Sequence, residues 1–166
     1  HFAICEHFGI EMLPIELGED GPDVTEIARL VADPAVKGIW CVPQYSNPCG
    51  YTYSDEVVRG LAALEPAASD FRIFWDNAYA VHSIYGDDVL KNIFPECEKA
   101  GNPDRVYMFA STSKITFSGA GVATLISSEK NIEEYKSRLK YATIGPNKIV
   151  QLAHYRYLKS PENILK

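Results

Sequence analysis

The chain has 166 residues, a net charge of −6, and apolar and charged fractions of 46% and 23%, which are ordinary values for a globular protein with room for a substantial core. The negative charge and the lack of a basic stripe argue against a surface that binds nucleic acid. No apolar run approaches the ~20 residues of a membrane-spanning helix, and no secretory signal is visible.

The N-terminal part predicts short elements. Phe2–Phe8 resembles the tail of a helix, and Glu11–Leu17 predicts an edge strand, where Pro14 is tolerated because edge amides need no partner. Gly18 to Pro22 is a turn. Asp23, with Glu26 three residues later, predicts the N-cap of a helix that ends at Asp33-Pro34. The predicted apolar face of this helix is Val24, Ile27, Ala28 and Val31.

Three buried-strand patterns follow, and each ends in polar residues. Val36–Val42 is nearly continuous in apolar residues, which predicts a strand covered on both faces. In open α/β sheets ligands bind outside the carboxyl ends of the strands. We therefore expect the polar segments after the strands to converge on one site. The strands are Val36–Val42, Phe71–Trp75 and Val106–Ala110, and their polar segments are Pro43–Gly50, Asp76–Tyr79 and Ser111–Lys114.

Helical patterns alternate with these strands. Ser54 is a predicted N-cap, and Pro66 is expected to close that helix; its predicted buried stripe is Val57, Val58, Leu61, Ala62 and Leu64. Pro95 is expected to break any long helix between Val89 and Ala100. The remaining patterns predict a strand at Val122–Ile126 and helices at Glu129–Tyr141 and Lys148–Leu158. This alternation predicts a three-layer α/β fold, with a mainly parallel sheet and helices on both faces.

The cysteines and histidines suggest no metal site. They form no Cys-x-x-Cys pair and no spacing typical of zinc ligands, so we predict free thiols in a reducing, cytoplasmic compartment and structural histidines. These residues are Cys5, Cys41, Cys49, Cys97, His1, His7, His82 and His154.

Lys114 is the candidate nucleophile. It follows a strand end and small hydroxylated residues. A lysine held in a partly dry pocket has a lowered pKa, and its amine can form a Schiff base with a carbonyl. The alternative is a loop lysine that points into water, and the residue alone leaves both readings open.

Three motifs in order give the chain a family resemblance. Asn47-Pro48-x-Gly50, Asp76-x-x-Tyr79 and Ser111-x-Ser113-Lys114 together resemble the class I and II aminotransferases, which are pyridoxal-phosphate enzymes of fold type I. The resemblance covers nearly the whole chain. It implies that residues 1–166 are part of the cofactor-binding large domain of a homodimeric enzyme. The start without methionine and the end just after a helical pattern are expected for a piece of a longer protein, without the family's N-terminal segment and C-terminal small domain.

The resemblance also implies roles for five residues. Lys114 would hold pyridoxal phosphate as a Schiff base and then move a proton between the substrate Cα and the cofactor. Asp76 would face the pyridine nitrogen, Asn47 and Tyr79 would bind the phenolic oxygen, and Ser111 would donate to the phosphate. Without the cofactor, Asp76 could be a cap or a turn residue, Tyr79 a packing residue, and Asn47 an Asx-turn before Pro48.

One departure from the family concerns the phosphate. Family members commonly carry Gly-x-Arg-x-Gly after the lysine, whereas this chain has Phe117-Ser118-Gly119-Ala120-Gly121. Backbone amides of Ser118 to Gly121, or Lys148 reaching across a dimer interface, are the expected substitutes.

The stretch from Ser113 to Gly121 is similar to a bacterial aspartate aminotransferase subgroup, which implies aspartate and 2-oxoglutarate as substrates. Two alternatives stay open. An aminotransferase-like domain can serve as the ligand sensor of a transcriptional regulator, and the chain by itself can be inactive because the groups that complete the site lie elsewhere.

Overall fold

The computed structural model describes residues 2–83, 89–116 and 119–164. The first described elements are short: α1 (Phe2–His7), β1 (Leu17–Gly18), β2 (Gly21–Pro22) and α2 (Val24–Leu30). The central elements are β3 (Gly38–Cys41), α3 (Asp55–Ala62), β4 (Arg72–Asp76), α4 (Ile93–Lys99), β5 (Val106–Ser111) and β6 (Ala123–Ile126). The chain continues with α5 (Glu129–Ala142), α6 (Lys148–Leu158) and α7 (Pro161–Ile164).

A four-stranded sheet in the order β3-β4-β5-β6 organises the molecule. The first three strands are parallel, and β6 pairs antiparallel with β5. The sheet is mixed and carries helices on both sides, as the alternating patterns predicted. Because β3, β4 and β5 are parallel, their carboxyl ends lie at the same edge of the sheet.

The core lies between one face of this sheet and the helices α2, α3 and α4. The sheet contributes Ile73, Trp75 and Val106, which are fully buried. The opposing helices contribute Val58, Leu61 and Ile93, which are equally buried. Period-2 alternation along β4 therefore directs one set of side chains into the core and leaves Phe74 and Asp76 on the opposite face.

Both predicted N-caps are confirmed. The Asp23 carboxylate accepts from the amides of Thr25 and Glu26, at 2.8 and 3.2 Å, and opens α2. The Ser54 hydroxyl accepts from the Val57 amide at 3.3 Å and opens α3. These side chains satisfy amides that have no partner within the helix.

Several sequence predictions were wrong. Glu11–Glu16 is not a strand: only Leu17 and Gly18 pair, with Pro22 and Gly21, since a strand needs a partner ladder and none of the described segments offers one to residues 11–16. No long helix spans Val89 to Ala100, as predicted: α4 begins only at Ile93. Pro95 lies in its first turn, where a missing N–H removes no helical hydrogen bond.

Two burial predictions also fail. Ala28 is exposed, although Ile27 and Val31 on the same helix are buried. β3 is not covered on both faces, because Trp40 remains 41% exposed. The side chains beside Trp40 on this sheet face are aromatic, so the face is apolar. The described residues do not cover it completely.

Candidate active site

The carboxyl ends of β4 and β5 bring two predicted site residues to one edge. Asp76 pairs in register with Phe109, and the Asn77 amide donates to the Phe109 carbonyl at 2.8 Å. Ser111, two residues after Phe109, ends β5. The Asp76 and Ser111 side chains therefore belong to the same sheet face, because residues two apart on a strand share a face.

Asp76 is partly buried and holds its carboxylate with two donors. The Trp40 indole and the Ala78 backbone N–H donate to it. Burial nevertheless raises the pKa of Asp76 above its usual value, since the two hydrogen bonds offset only part of the desolvation. Among the described ion pairs, none involves Asp76.

The Trp40 ring is fixed by stacking. It lies 5.6 Å from the Phe74 ring and 5.8 Å from the Phe109 ring, with interplanar angles of 10° and 8°. Offset stacking of this kind restricts the ring plane. Trp40, which lies in the strand predicted to be covered on both faces, therefore contributes a polar atom to the candidate site.

Tyr79 and His82 connect the two strand-end loops. Their rings meet edge to face at 5.8 Å. His82 Nε2 lies 3.1 Å from the Lys114 carbonyl oxygen, and since a carbonyl only accepts, the imidazole N–H donates. The loop after β4 is thus bonded to the turn that carries Lys114.

Lys114 lies in a turn that immediately follows β5. The amides of Ile115 and Thr116 donate to the Thr112 carbonyl at 3.0 and 2.9 Å, which closes the turn around the lysine. The Lys114 side chain is exposed. The described residues therefore do not form the partly dry pocket expected around it. Ser111, at the start of this segment, is half-buried.

Asn47 lies on the loop after β3, at the same edge of the sheet, and is exposed. No described contact joins Asn47 to Asp76, Tyr79 or Lys114. Its neighbour Ser46 is only 5% exposed, and the Ser46 hydroxyl is buried without a partner among the described residues. The structure thus links Asp76, Tyr79, Ser111 and Lys114 through two loops, and leaves Asn47 near the edge.

The two expected substitutes for the phosphate-binding arginine are the backbone amides of Ser118 to Gly121 and the side chain of Lys148. Of the backbone cradle at Ser118 to Gly121, Ser118 lies outside the described residues, as does Phe117. Lys148 is exposed at the first position of α6, immediately after the N-cap Asn147.

Sequence reasoning missed a buried polar cluster behind the lysine turn. His154 of α6 is 8% exposed. Its Nε2 lies 2.8 Å from Thr112 Oγ1 and 3.0 Å from Thr116 Oγ1. A signal existed in the two threonines that flank Lys114, but nothing in the sequence shows that α6 returns to them.

The remaining chemical groups are the cysteine thiols and the side chains that can bind metals. All four cysteines are free, as predicted. In the described part of the chain, no three metal-ligating side chains cluster. None of the helices described is both long and apolar enough to cross a membrane.

Comparison with known proteins identifies the family. The family model described as "Aspartate amino-transferase" matches residues 1–166. The chain belongs to the aspartate aminotransferase family. It is 47% identical, over 99% of its length, to an aspartate aminotransferase of Corynebacterium glutamicum. The crystal structure of an aspartate transaminase from that organism superposes with a TM-score of 0.95 at 46% identity, over 99% of this chain and 39% of that one.

More distant similarities extend the comparison. A structure of LysN, an α-aminoadipate aminotransferase of Thermus thermophilus complexed with N-(5'-phosphopyridoxyl)-L-leucine, has a TM-score of 0.77 at 22% identity, over 94% of this chain and 40% of that chain, and supports the fold. A transcriptional regulator of the HTH type from Bacillus subtilis is 25% identical over 93% of this chain and 33% of its own length. The chain spans about two fifths of the aspartate aminotransferase that it matches.

Proposed function

We propose that the whole protein is a cytoplasmic, pyridoxal-phosphate-dependent aminotransferase that exchanges amino groups between aspartate and 2-oxoglutarate, with Lys114 bound to the cofactor as a Schiff base. The observation that carries this proposal is the placement of Asp76 and Lys114 at the same edge of the sheet. Asp76 ends β4 and Lys114 follows the adjacent parallel strand β5, and the loop after Asp76 is bonded to the Lys114 carbonyl through His82. The aspartate aminotransferase family model matches the chain along its full length.

The donor set at this edge fits pyridoxal phosphate. Asp76 is a partly buried carboxylate whose pKa burial raises, and a protonated pyridine nitrogen is the kind of cation that would stabilise its charged form. Lys114 supplies a primary amine for the cofactor aldehyde. The hydroxyls of Ser111 and Tyr79 supply neutral donors for its oxygens.

Each residue then has a chemical task. Pyridoxal phosphate, when bound, supplies the electron sink for the carbanion at the substrate Cα. Asp76 would hold the ring nitrogen in its protonated form. Once the substrate amine has displaced it from the cofactor, the Lys114 amine would be free to take the proton from the substrate Cα. Asn47 and Tyr79 would donate to the phenolic oxygen, and Ser111 would donate to the phosphate.

The substrate assignment rests on the family and on the Corynebacterium relative named as an aspartate aminotransferase, at 47% identity. Lys148, exposed at the start of α6, is our candidate for a cation that crosses a homodimer interface to the partner's phosphate. Exposed apolar side chains lie near it in sequence, at Tyr141, Ile144 and Ile149, and such clusters are typical of contact surfaces.

Absorption spectroscopy tests the cofactor assignment. The whole protein is mixed with pyridoxal phosphate, desalted, and compared with its Lys114→Ala variant. We expect the visible band of the lysine-bound cofactor to survive desalting only when Lys114 is present. We also expect the protein that keeps this band to convert aspartate and 2-oxoglutarate. A band that persists in Lys114→Ala would reject Lys114 as the attachment site.

Titration with pyridoxal phosphate tests the phosphate contact. Lys148→Ala should weaken cofactor binding about tenfold or more, in line with the loss of a charge-assisted hydrogen bond. Lys159→Ala, outside the first turn of α6, is the control and should bind normally. Equal affinity of Lys148→Ala and the unmodified protein would reject a role for Lys148.

The ligand-sensing alternative has one observation in its favour, the similarity to the HTH-type regulator. A sensor would bind the cofactor through Lys114 and turn over poorly. Steady turnover of aspartate by the whole protein, without DNA binding, would reject this alternative.

A further inference from the structure

The partly buried polar cluster of Thr112, Thr116 and His154 joins the lysine turn to α6. Thr112 and Thr116 flank Lys114 on either side in sequence, and both hydroxyls lie within 3.0 Å of the same imidazole nitrogen. His154 is the buried residue of α6. Most of the larger apolar side chains of that helix are exposed instead, at Ile149, Leu152, Tyr155 and Tyr157.

The hydrogen bonds fix the roles of the ring nitrogens. His154 Nδ1 lies 2.9 Å from the Val150 carbonyl, which can only accept, so Nδ1 carries a proton. In the neutral ring Nε2 is then an acceptor. Thr112 Oγ1 already accepts from the Val122 amide at 2.9 Å, so its own proton is available to donate to Nε2.

The second threonine completes the arrangement. Thr116 Oγ1 donates its one proton to the Thr112 carbonyl at 3.1 Å. It also lies 3.0 Å from His154 Nε2, where it has no second proton to donate. The Thr112 amide donates to the Val122 carbonyl at 2.9 Å. The Thr112 end of the lysine turn is therefore tied to α6 and to Val122, just before β6, and the Thr116 end is tied back to Thr112.

We propose that His154 is a positioning residue for Lys114: by accepting from the Thr112 hydroxyl and packing against Thr116, it fixes the turn that carries the lysine and thereby orients the amine for covalent attachment of the cofactor. This inference rests on the proposed role of Lys114. His154 itself does not contact the reacting atoms in this scheme. It acts through the two threonines, and it ties α6 to the site.

A pair of substitutions separates this role from simple packing. His154→Leu fills a comparable volume and removes the acceptor for the Thr112 hydroxyl. His154→Gln keeps an oxygen that can accept near the Nε2 position. The whole protein is first prepared without cofactor, and exchange of the amides of Thr116 and Val122 is followed by hydrogen–deuterium exchange.

We expect exchange about five- to thirtyfold faster in His154→Leu, as for the loss of one or two hydrogen bonds, and near-normal exchange in His154→Gln. Pyridoxal phosphate is then added, and the rate at which the visible band of the lysine-bound cofactor appears is measured. The rate should fall about tenfold in His154→Leu and be restored in His154→Gln.

Thr116→Val provides a second approach from the other side of the cluster, should His154→Leu fail to fold. It should slow formation of the band in the same direction. Unchanged amide exchange in the folded variants would overturn the inference whether or not the cofactor binds. Faster exchange with an unchanged rate of attachment would also overturn it, because the cluster would then be structural only. A band retained in Lys114→Ala would instead overturn the proposed function, and with it the premise of this inference.

Discussion

Asp76 occupies a position where burial and hydrogen bonding oppose each other. Burial penalises its charged form, while the Trp40 indole and the Ala78 amide favour that form. The net effect is a raised pKa in the folded state. Proton binding therefore stabilises the fold, and this contribution is fully present below the unfolded pKa and is lost as the pH rises through the folded pKa.

Asp76→Asn should consequently increase the free energy of unfolding of the cofactor-free protein near neutral pH, relative to the unmodified protein. The gain is expected to be less than about 1 kcal/mol, because a half-exposed group is screened by water. It should shrink as the pH is lowered toward about 4. Urea unfolding at a series of pH values measures it.

Asp70→Asn is the matched control with the opposite sign. A hydrogen bond from Lys37, 2.8 Å away, holds the pKa of Asp70 below its usual value. The stability that Asp70 contributes is present above its unfolded pKa and is lost as the pH falls through its folded pKa. Asp70→Asn should therefore be less stable than the unmodified protein at neutral pH, and this difference should vanish in acid. Parallel pH profiles for the two variants would contradict this account.

Trp40 should lower the pKa of Asp76 through its indole hydrogen bond. Trp40→Phe keeps an aromatic ring against Phe74 and Phe109 but removes the indole donor. The pKa of Asp76 should then rise further, measured by carboxyl NMR titration of the cofactor-free protein. Tyr107→Phe, on the same sheet face and stacked on Phe74, should leave it unchanged. A lower Asp76 pKa in Trp40→Phe would exclude the indole as its donor.

At the scale of elements, α5 is attached by a polar contact. Its charged side chains are exposed. Its buried residue is Asn131, which is fully inaccessible. The Asn131 amide donates to the Asp104 carbonyl at 2.9 Å and to the Ser127 hydroxyl at 2.8 Å. These bonds join the start of α5 to the turn before β5.

Asn131→Ala should lower the free energy of unfolding by about 1–3 kcal/mol, because it leaves the partly buried Asp104 carbonyl without this donor. Ser137→Ala, which removes only a local bond to the Glu134 carbonyl, should change stability by less than about 0.5 kcal/mol. Thermal or urea unfolding compares the two. Equal effects would show that Asn131 does not anchor α5.

At the scale of the whole molecule, the layer formed by α3 and α4 supports the strands that carry the site. Leu61 of α3 is fully buried in this core. The start of β5 is also tied to the end of α3, because Arg105 donates to the Leu64 carbonyl at 3.0 Å and to Asn102 Oδ1 at 2.7 Å. A substitution that disrupts the packing of α3 and α4 should therefore displace β5, and with it Ser111 and Lys114.

Leu61→Ala should destabilise the protein by about 2–5 kcal/mol, which is the usual range for a large-to-small change in a packed core. Arg29→Ala, at an exposed position of α2, should have little effect. Urea unfolding provides the comparison. If Leu61→Ala lowers the free energy of unfolding by less than about 1 kcal/mol, the neighbouring side chains must move to fill the cavity, and Leu61 would not be a rigid part of the core.

The sequence by itself determined the elements whose signal is local. The caps at Asp23 and Ser54, the three parallel strands and the helices α5 and α6 depend on residue type and spacing, and the three motifs after the strands sufficed for the family resemblance. The failures have a common cause. Strand status at residues 11–16, the covering of Trp40 and the burial of Ala28 depend on which partner lies alongside.

Only the tertiary structure decided which polar groups meet. The bond from Trp40 to Asp76 depends on the strand register. The bond from His82 to the Lys114 carbonyl depends on the packing of two loops. The contacts of His154 with Thr112 and Thr116 form because α6 returns to a turn some forty residues earlier in the chain. The local sequence determines backbone preference because capping, turn and propensity effects act between residues that are close in the chain. Pairs far apart in the chain form only when the whole set of packing and hydrogen-bond terms selects one arrangement.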